Sequence, residues 1–340
     1  MVRVGIIGAS GYTGAELLRI AALHPDYEVV VATGDTQAGT RASALYPSLA
    51  VHYPELVFSA FDETTTVGLD LVFLGLPHEA SMSLAPKLVG KVGCVVDLSA
   101  AYRLKDASLY RSWYGFDHDQ PELLAEAVYG LPELYRAELQ GARLVATPGC
   151  HVTAASLALQ PLVAAGSIQT TGIIVDNATG ITGAGRASKQ SNMFCSVDEN
   201  FEAYGLLDHR HTPEIEQVVR AQVLFTPHLA PMNRGILSTC YARPAADATL
   251  TTESLLETLE NAYAAEPFVV VRSDSPSTKA TLGSNAVHLT ARYDARTGWV
   301  MVICAIDNLT KGASGGAVQA ANVAMGLPET AGLTSVGLYP

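Results

Sequence analysis

The sequence predicts an α/β chain in two parts: a doubly wound parallel sheet, then an α+β unit whose sheet is mostly antiparallel. Two changes of texture carry this. Short continuous apolar runs recur up to residue 149, the pattern of strands buried on both faces. Beyond it the runs lengthen and sometimes alternate, the pattern of a sheet with one covered face. A chain of 340 residues, 49% hydrophobic and 16% charged, is long enough for two cores.

The elements follow in order. Residues 2–7 form an apolar run stopped by Gly8, and 15–23 show helical spacing, so the chain opens strand, glycine turn, helix. Further strands are predicted at 28–33, 69–74, 92–98 and 143–146, and residues 152–163, rich in Ala and Leu, read as a helix. Strands of the second part are predicted at 172–178, 222–225, 236–242, 268–272, 286–293 and 299–306. A small-residue helix at 313–325 then packs back on the first part. The domains therefore run 1–149 with 310–340, and 150–309.

A net charge of −12 sets a repulsive field before phosphate backbones and anionic lipid, which disfavours nucleic acid and membrane as partners. The five cysteines, Cys94, Cys150, Cys195, Cys240 and Cys304, include no C-x-x-C pair and no zinc-type histidine spacing. That argues against disulfides and a structural metal, and for a reducing cytosol. The first residues carry no basic leader, so a cytoplasmic location is expected.

Gly8-Ala9-Ser10-Gly11-Tyr12-Thr13-Gly14 lies between the first strand and first helix, where backbone N–H groups and the helix dipole receive a pyrophosphate. The G-x-x-G-x-x-G spacing departs from the commoner G-x-G-x-x-G, and an ordinary turn is the alternative. Read as a site, it makes the first part a Rossmann-type dinucleotide-binding domain with Gly8, Ser10, Gly11, Tyr12, Thr13 and Gly14 as contacts. Past the second strand, Asp35 favours the ribose hydroxyls of NAD, whereas Thr33, Thr36 and Arg41 suit the 2′-phosphate of NADP.

Thr147-Pro148-Gly149-Cys150 falls after a strand and before a helix, putting a thiol where the helix dipole stabilises thiolate. Cys94, Cys240 and Cys304 lie inside apolar runs and read as core; Cys195, in a polar stretch, is the weaker rival. A thiolate beside a nicotinamide implies a thioester that accepts hydride and leaves as an aldehyde. His209-Arg210-His211-Thr212-Pro213-Glu214 adds an acid/base and an anion clamp ahead of a helix that Pro213 could start.

With Gly75-Leu76-Pro77-His78, Asp97-Leu98-Ser99-Ala100, Tyr102-Arg103-Leu104, Gly180-Ile181-Thr182-Gly183-Ala184-Gly185-Arg186, Pro227 to Gly235 and Asp307-Asn308-Leu309, these residues resemble one family along nearly the whole chain. It is the N-acetyl-γ-glutamyl-phosphate reductases of arginine biosynthesis, relatives of aspartate-semialdehyde and glyceraldehyde-3-phosphate dehydrogenases. The resemblance implies NADPH as reductant, a small acyl phosphate as substrate and Cys150 as nucleophile. It implies His209 as acid/base with His211 in reserve, and Tyr204 and Glu214 orienting them. Arg103 would hold the leaving phosphate, Ser99 and Arg210 would lie with the substrate, and Pro77, Gly183 and Asn308 with the cofactor. A homo-oligomer, dimer or tetramer, is expected.

One departure stands out. The family usually has Tyr-Pro-Thr or Tyr-Ala-Thr after the nucleophile, where this chain has His151-Val152-Thr153. His151 is expected either to face solvent or, protonated, to lower the thiol pKa. Two alternatives to the main reading remain. One is a reductase of carrier-bound aminoadipyl phosphate in lysine biosynthesis, disfavoured by the like charge of an acidic carrier. The other is a non-catalytic nucleotide sensor with Cys150 as a redox switch.

Overall fold

The computed structural model describes residues 1–340 apart from the side chain of Ser191. It divides into two units, Met1–Pro148 with Ala313–Leu333 and Gly149–Gly312 with Thr334–Pro340. The sequence reading gave all of 310–340 to the first part. The final stretch instead joins the second unit, where Leu338 N–H donates to Leu282 O and Asn285 N–H to Thr334 O.

In the first unit, β1 (Val2–Ile7), β2 (Tyr27–Ala32), β3 (Leu71–Leu74), β4 (Cys94–Asp97), β5 (Val128–Tyr129) and β6 (Leu144–Ala146) form one sheet, ordered β2-β1-β3-β4-β6-β5. Every pairing is parallel. All four residues of β3 and of β4 are buried, as continuous apolar runs require. The order reverses at β1, so the ends of β1 and β3 flank a topological switch point, where an open α/β sheet receives its ligand. Gly8 holds φ +89°, and a Cβ there would stand 2.3 Å from Gly75 O. At Gly14 a Cβ would stand 2.4 Å from Ala9 Cα, so glycine lets the helix Tyr12–Ala21 start against the strand end. Every residue of the helix Gly315–Ala324 is buried, and its Asn322 Oδ1 accepts from Tyr27 OH at 3.0 Å.

In the second unit, β7 (Ile173–Thr179), β8 (Glu202–Ala203), β9 (Val223–Leu229), β10 (Ile236–Ala242), β11 (Val269–Val271), β12 (Val287–Asp294) and β13 (Trp299–Ile306) pair in the order β11-β12-β13-β10-β7-β9-β8. The centre β12-β13-β10-β7 is antiparallel, while β11 with β12 and β7 with β9 are parallel. Burial alternates strictly along β7 and β10, and the helix Cys150–Ala164 covers the inward face. Among the described residues no helix is long and apolar enough to cross a membrane.

Candidate active site

The helix Cys150–Ala164 begins at Gly149, which is extended (φ −64°, ψ 147°) and offers no side-chain cap. Its first N–H is served from another element: Gly149 N–H donates to Glu214 Oε1 at 3.0 Å. Glu214 is fully buried on the helix His211–Val219, which packs against the nucleophile's helix. That helix starts two residues before Pro213, which sits in the first turn where no N–H is needed. A carboxylate therefore shares the positive end of the Cys150 helix, and the dipole alone does not set the thiol's acidity. A Cβ on Gly149 would stand 2.3 Å from His211 Nε2, so the His211 ring rests directly on the residue before the nucleophile. Cys150 is partly exposed, and on its other side a Cβ on Gly312 would come within 2.9 Å of its own Cβ.

His209 stands beside His211, their ring centroids 4.7 Å apart, and its Nδ1 accepts from His211 N–H at 3.1 Å. The neutral imidazole thus carries its proton on Nε2, where it is a donor. Burial, and then the Arg210 charge, push its pKa down to about 4 against the opposing pull of Asp208. Arg210 itself is exposed.

His151 corrects both sequence expectations. It is 2% exposed, and burial followed by neighbouring His209 pushes its pKa down to about 3, so it is neither solvent-facing nor a cation at neutral pH. Its Nε2 lies 3.0 Å from Tyr204 OH and its Nδ1 3.2 Å from Asn177 Nδ2. Burial, and then the Cys150 charge, raise the Tyr204 pKa. His151, His209 and His211 bring ring nitrogens within 4.8 Å of one another, a spacing on which a transition metal could close. Both nitrogens of His151 and Nδ1 of His209 are already hydrogen-bonded, so the cluster is arranged to hold protons. Sequence reasoning missed Asn177. Its signal was a polar residue at an inward position of an alternating strand.

The second unit also joins Gly183 and Asn308. Asn308 Nδ2 donates to Thr182 Oγ1 (2.9 Å) and Oδ1 accepts from Gly235 N–H (2.8 Å), while a Cβ on Gly183 would stand 4.0 Å from Nδ2. Asn308 therefore clamps two loops together.

In the first unit the helix Tyr12–Ala21 also starts at an extended glycine, Gly11, without a side-chain cap. A Cβ there would meet only Gly8 O at 3.6 Å, and Gly11, Tyr12 and Thr13 are partly exposed, so this terminus is open to an anion. Ser10 Oγ donates to Gly34 O, and Tyr46 OH to Ser10 O, bracing the turn. Thr33 is buried and its Oγ1 accepts from Gly8 N–H at 3.1 Å. It braces the turn and is buried, whereas Thr36 and Arg41 are exposed. Arg41 meanwhile pairs with Glu55 at 2.9 Å on the surface. Pro77 is exposed ahead of the helix His78–Leu88.

Ser99 is buried, its Oγ donating to Asp97 Oδ2 and accepting from Ala101 N–H. Arg103 is 7% exposed, with Nε donating to Thr147 O at 2.6 Å and Nη2 to Leu98 O at 2.9 Å. Much of its fork is committed to bracing strand ends.

Comparison with known proteins decides the family. A family model described as semialdehyde dehydrogenase, NAD binding domain, matches residues 3–142, and one described as semialdehyde dehydrogenase, dimerisation domain, matches residues 150–308. N-acetyl-gamma-glutamyl-phosphate reductases of Symbiobacterium thermophilum and Geobacter sulfurreducens are each 47% identical to this chain over its whole length, covering 99% and 100% of those proteins. The chain belongs to the N-acetyl-gamma-glutamyl-phosphate reductase family. Among solved structures, aspartate semialdehyde dehydrogenase II of Vibrio cholerae, complexed with ASA, gives a TM-score of 0.70 at 17% identity, covering 95% of this chain and 98% of that one. Aspartate semialdehyde dehydrogenase of Candida albicans with NADP gives 0.71 at 15% identity, with the same coverage. Those distant structures share the reductase family's fold.

Proposed function

We propose that this reductase converts N-acetyl-γ-glutamyl phosphate to N-acetylglutamate γ-semialdehyde and phosphate, with NADPH as reductant. The observation that carries the reading is the start of the Cys150 helix, where a partly exposed thiol meets His211 on Gly149 and His209 beside it. The adjacent pair His209 and His211 takes the thiol proton. The thiolate attacks the acyl carbon and the C–O bond to phosphate breaks, leaving the acyl group as a thioester on Cys150. NADPH, when bound, supplies the hydride that reduces this thioester. The pair returns that proton to the developing oxyanion, and collapse of the reduced adduct frees the aldehyde and regenerates the thiol.

The switch point fits a dinucleotide. Gly8 and Gly14 hold the turn tight, and the N–H groups of Tyr12 and Thr13 at the helix start would take the pyrophosphate, with Thr36 and Arg41 toward the 2′-phosphate. The presence of NADP in the Candida albicans relative supports that choice. Half-exposed Ile174, Tyr241, Trp299 and Met301 on the outer sheet face support a homo-oligomer, as does the dimerisation-domain description. Free thiols support a reducing, cytoplasmic setting.

The test is phosphate-dependent reduction of NADP by N-acetylglutamate γ-semialdehyde, the reverse reaction, in wild type and Cys150→Ser. Turnover that falls at least about a thousandfold in the variant is expected. Turnover only on carrier-bound aminoadipate semialdehyde, or on neither substrate, overturns the reading.

A further inference from the structure

Behind the nucleophile runs a buried polar chain, Asn177 to His151 to Tyr204, whose links the mechanism above does not use. Asn177 is fully buried on the inward side of β7, its Nδ2 lying 3.4 Å from the His151 carbonyl oxygen and 3.2 Å from His151 Nδ1. A carbonyl oxygen only accepts, so the amide nitrogen belongs on that side; turned around, Oδ1 would face another acceptor. Nδ2 therefore donates, Nδ1 accepts, and the neutral imidazole carries its one proton on Nε2. That N–H meets Tyr204 Oη at 3.0 Å. A hydroxyl whose oxygen receives a hydrogen bond keeps its own proton for onward donation, and each link of such a chain polarises the next. His151 directly follows Cys150 in the first turn of its helix, so the hydroxyl it holds lies beside the nucleophile's turn.

We propose that His151 is a positioning residue: with its tautomer set by Asn177, it turns the Tyr204 hydroxyl into a hydrogen-bond donor that favours the Cys150 thiolate. The proposal rests on the reading of Cys150 as nucleophile. The other titratable groups at this place are His209 and His211, whose ring centroids lie 5.7 and 5.5 Å from His151, and Glu214 at the helix start. None of them is altered by the variants below.

The test is the pH dependence of Cys150 alkylation by iodoacetamide, with steady-state kinetics alongside. His151→Phe and Tyr204→Phe are each expected to raise the alkylation midpoint by about one pH unit and to lower kcat about tenfold at unchanged KM, the scale of one lost hydrogen bond. The double variant should move no further than either single one. His151→Gln, whose amide N–H can replace Nε2–H, should stay near wild type. Midpoints that do not move in Tyr204→Phe, or shifts that add in the double variant, overturn the proposal. Should His151→Phe not fold, Tyr204→Phe and His151→Gln decide it alone. Alkylation needs no substrate, so absence of turnover in wild type would count against the functional reading only.

Discussion

Two helices in this protein begin the same way and end up with opposite surroundings. Tyr12–Ala21 and Cys150–Ala164 each follow an extended glycine that has no side-chain cap. At Gly11 a Cβ would have room, and the neighbouring residues are partly exposed. At Gly149 a Cβ would collide with His211, and the N–H is already held by the buried carboxylate of Glu214. A free helix terminus receives an anion from outside. A terminus filled from within instead fixes side chains around its first residue. The same local motif therefore serves cofactor binding in one unit and nucleophile placement in the other.

The sharpest way to break this contrast is Gly149→Ala. The added methyl would lie 2.3 Å from His211 Nε2, so the ring must leave its seat on the nucleophile's backbone. A fall in kcat of at least about a hundredfold is expected, since a displaced catalytic group costs that much, with far-UV circular dichroism unchanged. Activity within a few-fold of wild type would mean that the contact constrains nothing.

Next comes Glu214. Glu214→Ala leaves the Gly149 N–H buried without its acceptor, and urea unfolding should show a loss of about 1–3 kcal/mol. Glu214→Gln keeps an acceptor oxygen and most of that stability. It also removes a negative charge from beside the thiol, so Cys150 alkylation should shift to lower pH. A shift to higher pH would show that the carboxylate acts through something other than its charge.

Much of the first unit was legible because a strand buried on both faces is a continuous apolar run, and β3, β4 and β6 are of that kind. The two-residue strands β5 and β8 are too short to carry any period. β9 continues through Pro227 and His228, where proline and polarity hide an extended chain. At the site, the nucleophile and the His209 to Glu214 run were legible from residue type and spacing. The environment of His151 was not. Its burial and both partners come from Asn177 on a distant strand and Tyr204 on a loop, and proximity of that kind has no local sequence signal. Thr33 shows the converse error. A hydroxyl at a strand tip looked available for a phosphate, yet it is buried and braces the glycine turn.

His151 also gives the second unit a pH signature that the glycine turn lacks. Its folded pKa of about 3 lies below the ordinary histidine value, so the unfolded chain binds the extra proton first. Stability should therefore be constant above about pH 6.5 and fall as pH drops below it, by up to about 1.4 kcal/mol per pH unit for this group. Urea midpoints between pH 7 and 5 would show it. His151→Phe should lower that slope, leaving the share owed to His209, and an unchanged slope would assign the proton uptake elsewhere.

The smallest effect is expected at the other helix. Gly11 sits at φ −79°, ψ 170°, which alanine adopts freely, and the new methyl would find only Gly8 O, at an ordinary 3.6 Å. Gly11→Ala should leave kcat within about twofold and urea stability within about 1 kcal/mol, the range of exchanging one weak N-cap for another. What it should touch is the approach of the pyrophosphate to the backbone, read as a rise of about threefold in KM for NADPH with the acyl-phosphate KM unchanged. A collapse of kcat or stability comparable to that of Gly149→Ala would erase the contrast, because it would mean that the Gly11 terminus too is filled from within.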